Sequence, residues 1–296
     1  MIKSIVLQKA VLVLLIFSFE FAVAQDSKQA EKKDTIPGTK GKVDIAPETK
    51  TEKKQEKKLY SLSQFGHETV VFIGQPARWK KQNWLNVGLI ASGTAVLTLF
   101  DQPFRDASQG NQRYYLSAPV EGGRIYGEWY SIGAIAGGFG LYGIIAGDTA
   151  GKKIAIELLQ GGLYAEGFVE VVKILVGRAR PYENQGPGTF HPFTVTDPGY
   201  NSFPSGHSTS AFTLSTIMSR HASTDFLKAL AYVPACFTLF ARIYQDKHWV
   251  SDELVGASLG YFVGNWVVDL HEEKRHRINV TAAIPPAISI SLDKIN

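Results

Sequence analysis

Uncharged stretches recur along residues 59–296, and turn-forming residues separate them. Five runs lack Asp, Glu, Lys and Arg and are 13 to 19 residues long: Gln82–Phe100, Trp129–Gly147, His207–Ser219, Ala229–Ala241 and Leu254–Val268. A sixth segment, Lys153–Lys173, is apolar at most positions. Runs longer than ten residues without alternation favour helices over strands. The pattern predicts an all-α bundle of about six helices, with a short strand in the tail Arg277–Asn296.

Two segments of different character precede this bundle. Residues 1–24 begin with Lys3 and Lys9, continue through an apolar stretch and end in Ala22-Val23-Ala24, which is typical of a secretory signal peptide. Residues 25–58 contain ten Lys and seven Asp or Glu but no aromatic residue and no Leu. Such a segment cannot bury enough apolar surface to fold. We expect an exported chain with a disordered charged linker, and an uncleaved membrane anchor is the alternative for residues 1–24.

Composition excludes several classes of protein. The single cysteine, Cys236, excludes an intramolecular disulfide framework and a multi-cysteine metal cluster. The net charge of +4 is too small to indicate a nucleic-acid partner. The uncharged runs are shorter than the about 20 residues that span a bilayer, but they are rich in small residues, as packed membrane helices are. We expect residues 59–296 to be membrane-embedded or membrane-associated, with a soluble periplasmic bundle as the alternative.

Residues able to hold an anion are concentrated in three short segments. These are Lys173-Ile-Leu-Val-Gly-Arg-Ala-Arg180-Pro181, Phe203-Pro204-Ser205-Gly206-His207 and the segment from Arg242 to Asp252. Gly177 permits a turn and Pro181 stops a helix, so the first segment places cations at a helix end. The second directly precedes an uncharged run, where free backbone N–H groups cradle anions. In the third, His248 and Asp252 are four residues apart and would share one face of a helix.

Together these segments match the needs of phosphate chemistry. Three fixed cations, Lys173, Arg180 and Arg242, and oriented N–H groups suit a tetrahedral dianion. Two histidines then divide the work: His248, oriented by Asp252, attacks phosphorus, and His207 protonates the leaving oxygen. No acidic cluster is present in the sequence to hold Mg²⁺, so we predict metal-independent chemistry without a cofactor.

In their order and internal spacing, the three motifs resemble the type-2 phosphatidic acid phosphatase and vanadium haloperoxidase superfamily, over roughly Asn83–Asp269. The resemblance implies a helical bundle, a phosphohistidine intermediate and hydrolysis of phosphate monoesters or pyrophosphates. By position, it implies His248 as nucleophile, His207 as general acid and Asp252 as orienting partner. The phosphate-binding residues that it implies are Lys173, Arg180, Ser205, Gly206 and Arg242. One departure is Ala241, where the family usually has Ser, and we expect it to alter phosphate affinity.

Other charged and aromatic residues near the motifs have simpler expected roles. We expect Arg178 to interact with the helix dipole and Glu166 and Glu170 to form structural salt bridges with Lys173. The loop Tyr182–Ser202 is the candidate for contacts that shape the substrate pocket.

The family's lipid-phosphate branch has six spans and a site on the outer face. Basic residues beside the first, second and last runs favour that orientation. A signal peptide contradicts it, because export of residues 25–81 followed by six spans would place the motifs inside. We expect an exported active site facing the periplasm, which requires that one run does not span or that the bundle lies outside the membrane.

The predicted function is hydrolysis of a lipid phosphate or diphosphate in the cell envelope. A soluble periplasmic acid phosphatase of broad specificity is the main alternative. A vanadate-dependent haloperoxidase and an inactive lipid-binding protein are minor alternatives.

Overall fold

The computed structural model describes the backbone of residues 60–283 and the side chains of residues 60–272. The predicted signal peptide and linker lie outside this range. The described residues form ten α-helices: α1 (Leu62–Ile73), α2 (Lys81–Thr98), α3 (Asp101–Gln109), α4 (Ala118–Tyr126), α5 (Trp129–Ile145), α6 (Thr149–Val176), α7 (Gly206–His221), α8 (Asp225–Leu230), α9 (Val233–Tyr244) and α10 (Val250–Ala283). The predicted all-α class is confirmed. The predicted strand is wrong where the backbone is described, because α10 continues to Ala283.

All six predicted helical segments are helical, but the fifth is divided between α8 and α9. Pro234 lies in the first turn of α9, where a residue without a backbone N–H is tolerated, so a new helix begins there. The helices α1, α3 and α4 were not predicted. They are short and carry charged or polar residues, so no uncharged run marks them.

Helices α6, α7 and α10 form the centre of the bundle and determine where the site lies. A Cβ added at Gly260 of α10 would lie 2.3 Å from the carbonyl oxygen of Thr209, so the backbones of α7 and α10 are in close contact. Further along, Gly264 of α10 approaches Thr216 of α7 in the same way, so the two helices run parallel. The C-terminal end of α6 meets the start of α7, where Lys173 approaches Gly206. Two helix N-termini and one C-terminus therefore share one end of the bundle.

Large apolar side chains cover much of the outer surface of α2, α5 and α6. They include Leu89 and Val96 on α2, Ile144 and Ile145 on α5, and Leu159 and Leu163 on α6. By length and composition, one continuous segment, Asp225–Tyr244, passes as a membrane span, and the bent pair of α2 and α3 passes as a second. Helix α5 is apolar but shorter.

Candidate active site

The three motifs meet where α7 and α10 begin and α6 ends. The Ser205 N–H donates to the Asp252 carbonyl oxygen at 3.3 Å, which joins the second motif to the third. Nη1 of Arg180 donates to the Lys247 carbonyl oxygen at 3.3 Å, which joins the first to the third. A Cβ at Gly206 would lie 3.2 Å from Nζ of Lys173. Segments up to 79 positions apart, from 173 to 252, thus form one site.

His248 is buried in the turn that precedes α10, and its ring orientation is fixed. Nδ1 lies 2.7 Å from the carbonyl oxygen of Ser202. A carbonyl only accepts, so Nδ1 carries the proton and Nε2 keeps its lone pair. This is the tautomer that an attacking imidazole requires.

Asp252 makes no hydrogen bond to His248, contrary to the prediction that it orients the ring directly. Its Oδ2 lies 3.9 Å from Nδ1, because α10 begins at Val250 and His248 precedes the helix rather than sharing a face with Asp252. Oδ2 instead accepts from the Ser202 hydroxyl at 2.6 Å and from the Trp249 N–H at 2.9 Å. Ser202 therefore links the carboxylate to the imidazole.

Arg178 is part of this network, so the prediction of a helix-dipole role is wrong. Its side chain is buried, with Nη1 2.5 Å from Oδ1 of Asp252 and Nη2 2.7 Å from Oδ2 of Asp101. Asp101 also accepts from the N–H and the hydroxyl of Ser251. Sequence reasoning missed Asp101 and Ser202. The only local sequence feature that distinguishes Asp101 is its position directly after the uncharged run Gln82–Phe100.

The three predicted phosphate-binding cations are held in place by different partners. Lys173 pairs with Glu170 at 2.6 Å, as expected, whereas Glu166 accepts from the Ser210 hydroxyl and is not paired with Lys173 in this way. Nε of Arg180 donates to the Pro198 carbonyl oxygen at 2.9 Å.

The Arg242 guanidinium and the start of α7 leave donors available. Nη1 of Arg242 donates to Gln245 at 3.1 Å, but its Nε is buried without a protein partner. An unpaired buried donor is costly, and an anion in the site would satisfy it. The Ser205 hydroxyl caps α7 by accepting from the Ser208 N–H, so the hydroxyl is engaged within the protein. The first N–H groups of α7, at Gly206 and His207, have no intrahelical acceptor.

His207 lies among positive charges. Burial is the largest cause that lowers its pKa, followed by Arg242, Arg180, Lys173 and Arg124. Burial and the same three motif cations, together with His207, hold the pKa of His248 well below 6.5. Both shifts favour the neutral imidazole. The neutral form suits His248 for attack, whereas His207 needs additional negative charge nearby to act as an acid.

Ala241 and the loop 182–202 lie in different environments. Ala241 is completely buried beside Val120 and Tyr244, an apolar environment on α9. In the loop, the Phe190 ring lies against the Arg178 guanidinium, with 5.8 Å between its centroid and Cζ of Arg178, and Phe193 is 71% exposed.

Among residues with described side chains, no group of three His, Cys, Asp or Glu is arranged to hold a metal ion.

Residues 155–276, which include all three motifs, match the model of the PAP2 superfamily. Over 138 residues the chain is 33% identical to a lipid A 1-phosphatase of Porphyromonas gingivalis. That alignment covers 45% of this chain and 27% of the relative, so the chain matches only about a quarter of the relative's length.

One solved structure is also similar. It is a transmembrane PAP2-type phosphatidylglycerolphosphate phosphatase from Bacillus subtilis, with a TM-score of 0.43 and 21% identity. The match covers 62% of this chain and 94% of that protein.

Proposed function

Because residues 155–276 match the model of the PAP2 superfamily, we propose that the chain is a metal-independent phosphatase acting on a lipid phosphate or diphosphate. The observation that carries the proposal is the contact of His248 Nδ1 with the Ser202 carbonyl oxygen at 2.7 Å, which leaves Nε2 with its lone pair. Lys173, Arg180 and Arg242 lie near enough to act electrostatically on this ring. A nucleophile among cations is suited to a substrate that is itself a dianion.

The proposed reaction has two halves. In the first, Nε2 of His248 bonds to phosphorus, the bond from phosphorus to the leaving oxygen breaks, and the His207 imidazolium gives that oxygen a proton. In the second, His207 takes a proton from water as the water oxygen bonds to phosphorus and the P–N bond breaks. Phosphate leaves, and both histidines return to their starting states.

The cations and N–H groups stabilise the charge on the phosphoryl oxygens. Two backbone carbonyls hold the Arg180 guanidinium in place. The N-termini of α7 and α10 add positive potential at the same end of the bundle. Such preorganised groups replace the metal ion that many phosphoryl-transfer enzymes use.

A lipid substrate is favoured by the surface of the protein. Side chains such as Leu89, at 70% exposure, and Ile145, at 77%, would be costly in water but are suited to a bilayer. A relative that is 33% identical over 138 residues is named as a lipid A 1-phosphatase. We therefore propose a membrane-associated enzyme of the cell envelope.

The test of activity is phosphate release in EDTA by detergent-purified protein. Phosphatidic acid, a polyprenyl diphosphate, lipid A and para-nitrophenyl phosphate serve as parallel substrates. We expect lipid turnover that His248→Ala abolishes, while His67→Ala, which changes an exposed histidine of α1, leaves it intact. Turnover of the soluble ester alone, together with extraction by sodium carbonate, would replace the proposal with a soluble acid phosphatase.

We further propose that the active site faces the periplasm. Helix α6 is 28 residues long, so its ends lie about 42 Å apart, which exceeds the about 30 Å hydrocarbon core. Phe193 is exposed in the loop after its C-terminal end, and Thr149 is exposed at its N-terminal end.

This orientation is tested by labelling intact spheroplasts with a membrane-impermeant maleimide. Phe193→Cys and Thr149→Cys are introduced separately into a Cys236→Ser background, which serves as the unlabelled control. We expect label at position 193 only. Label at 149 only would place the site in the cytoplasm, and label at both would indicate a bundle outside the membrane.

A further inference from the structure

Glu128 is a carboxylate outside the three motifs that contacts the proposed general acid. It is the residue directly before α5, and its Oε1 lies 3.2 Å from Nε2 of His207. This contact does not form a hydrogen bond, and Nε2 is buried without a hydrogen-bond partner. The distance is nevertheless that of an ion pair once the ring is protonated.

The surroundings of His207 otherwise oppose its protonation. Four cations from separate elements act on it: Arg124 on α4, Lys173 on α6, Arg180 in the loop and Arg242 on α9. His248 lies near as a second imidazole. Two further carboxylates, Glu166 on α6 and Glu253 on α10, accept from the hydroxyls of Ser210 and Ser208. Glu128 is the carboxylate that touches the ring itself.

A chain of polar contacts fixes the position of Glu128. Nη1 of Arg124 donates to Glu128 at 3.2 Å, and its Nε donates to Glu121 at 2.8 Å. Glu121 accepts from Gln245 at 2.9 Å, and Gln245 in turn accepts from Arg242 at 3.1 Å. One network thus holds a cation of the phosphate site and the carboxylate beside the acid.

The backbone of the turn that precedes Glu128 also packs against α7. A Cβ at Gly127 would lie 2.9 Å from the carbonyl oxygen of His207, so the turn between α4 and α5 packs directly on that residue. The backbone at Glu128 is therefore held close to the start of α7.

We propose that Glu128 is a positioning residue that holds His207 as an imidazolium while phosphate is bound. The inference rests on the proposed phosphatase function. The bound dianion offsets the surrounding cations, and Glu128 supplies the remaining negative charge at the ring. In the first half-reaction the imidazolium gives its proton to the leaving oxygen, and in the second the ring regains a proton from water.

The test compares Glu128→Gln with wild type in the pH dependence of kcat, which reports groups in the enzyme–substrate complex. We expect the alkaline limb to lie about 1 pH unit lower and kcat at pH 8 to fall about tenfold, since an opposite charge at contact shifts a pKa by about 1 unit or more. KM should change little. Glu128→Asp keeps the charge and should recover part of the shift. The matched control is Glu272→Gln. Glu272 lies in the second half of α10, where it pairs with Arg220 of α7, so this change should leave the pH dependence of kcat unaltered.

A second readout does not depend on turnover. In protein with ¹⁵N-labelled histidine and saturating inorganic phosphate, the His207 resonance should titrate about 1 unit lower in Glu128→Gln than in wild type. An unchanged titration, or an activity loss that is equal at every pH, would overturn the inference. If wild type showed no turnover that His248→Ala abolishes, the phosphatase proposal would be refuted instead. The titration of His207 would still show whether Glu128 pairs with its ring.

Discussion

His248 is connected to Asp252 through Ser202, whose carbonyl oxygen accepts from Nδ1 of the imidazole and whose hydroxyl donates to the carboxylate. The direct separation of Nδ1 and Oδ2 is 3.9 Å. A backbone carbonyl orients a ring as firmly as a carboxylate does, but it carries no full charge to stabilise an imidazolium. Asp252 therefore acts on His248 indirectly, because it fixes the position of Ser202, whose carbonyl oxygen orients the imidazole.

Ser202→Ala tests this bridge. The variant keeps the carbonyl that orients His248 but loses the hydroxyl bond to Asp252, so we expect kcat for the lipid phosphate to fall about tenfold, equivalent to a net hydrogen bond of about 1.4 kcal/mol to a charged group. Asp252→Asn should cost more, because an amide cannot replace the charge that faces Arg178. A change of less than twofold in Ser202→Ala would show that the bridge has no role in catalysis. Thermal unfolding of each variant in detergent controls for lost structure.

Arg178 should be essential for stability rather than for substrate binding. It lies between Asp101 and Asp252, and all three side chains are buried. Arg178→Met leaves two carboxylates without a countercharge, so we expect the free energy of unfolding to fall by about 3–5 kcal/mol.

Arg220→Met is the matched control for that measurement. Arg220 also pairs with two carboxylates, but these are 57% and 43% exposed, so its loss should cost no more than about 1 kcal/mol. Similar losses in the two variants would contradict a special role for the buried pair.

The pH dependence of kcat/KM should report the cations around His248. The neutral imidazole attacks, and the cations disfavour the charged form, so the acid limb assigned to His248 should lie below pH 6.5. Arg180→Gln removes one of these cations, raises the pKa of His248 and should move the limb to higher pH by about 1 unit.

The ionisation of the substrate is the same for wild type and variant, so the difference between their pH profiles reports ionisation of the enzyme. Arg113→Gln, which changes a cation outside the motifs, should leave the limb in place. A limb that does not move in Arg180→Gln would assign it to another group.

The sequence allowed prediction of the helices that contain the uncharged runs and of the convergence of the motifs, because both depend on local signals. Uncharged runs mark long helices, both the exposed α2 and α5 and the buried α7, and Ser205 and Gly177 mark helix ends. The bridging residues were not predictable in this way. Ser251 and Asp101 are 150 positions apart, and Glu128 precedes the motif segment entirely. Contacts of this kind depend on how α3, α4 and α5 pack against the site, and no local pattern encodes that packing.

Gly177 provides the last prediction, since it determines the path of the chain from α6 into the site. Its φ is +59°, a conformation that costs a residue with a side chain about 1–2 kcal/mol. A Cβ at this position would also lie 1.8 Å from the carbonyl oxygen of His191, far inside contact distance. Gly177→Ala should therefore displace the loop that carries Arg178 and Arg180, with a loss of more than about 3 kcal/mol of stability and a large fall in kcat.

Gly147→Ala is the control that separates the cost of a positive φ from the cost of a steric clash of the added Cβ. Its φ is +68°, but a Cβ there meets no atom within 4 Å. Gly147→Ala should cost only the conformational term, about 1–2 kcal/mol, and should leave kcat unchanged, because the turn between α5 and α6 lies at the opposite end of the bundle. Equal losses of stability in the two variants would mean that the loop yields to the added methyl group. In that case the site would not depend on close contact between Gly177 and His191.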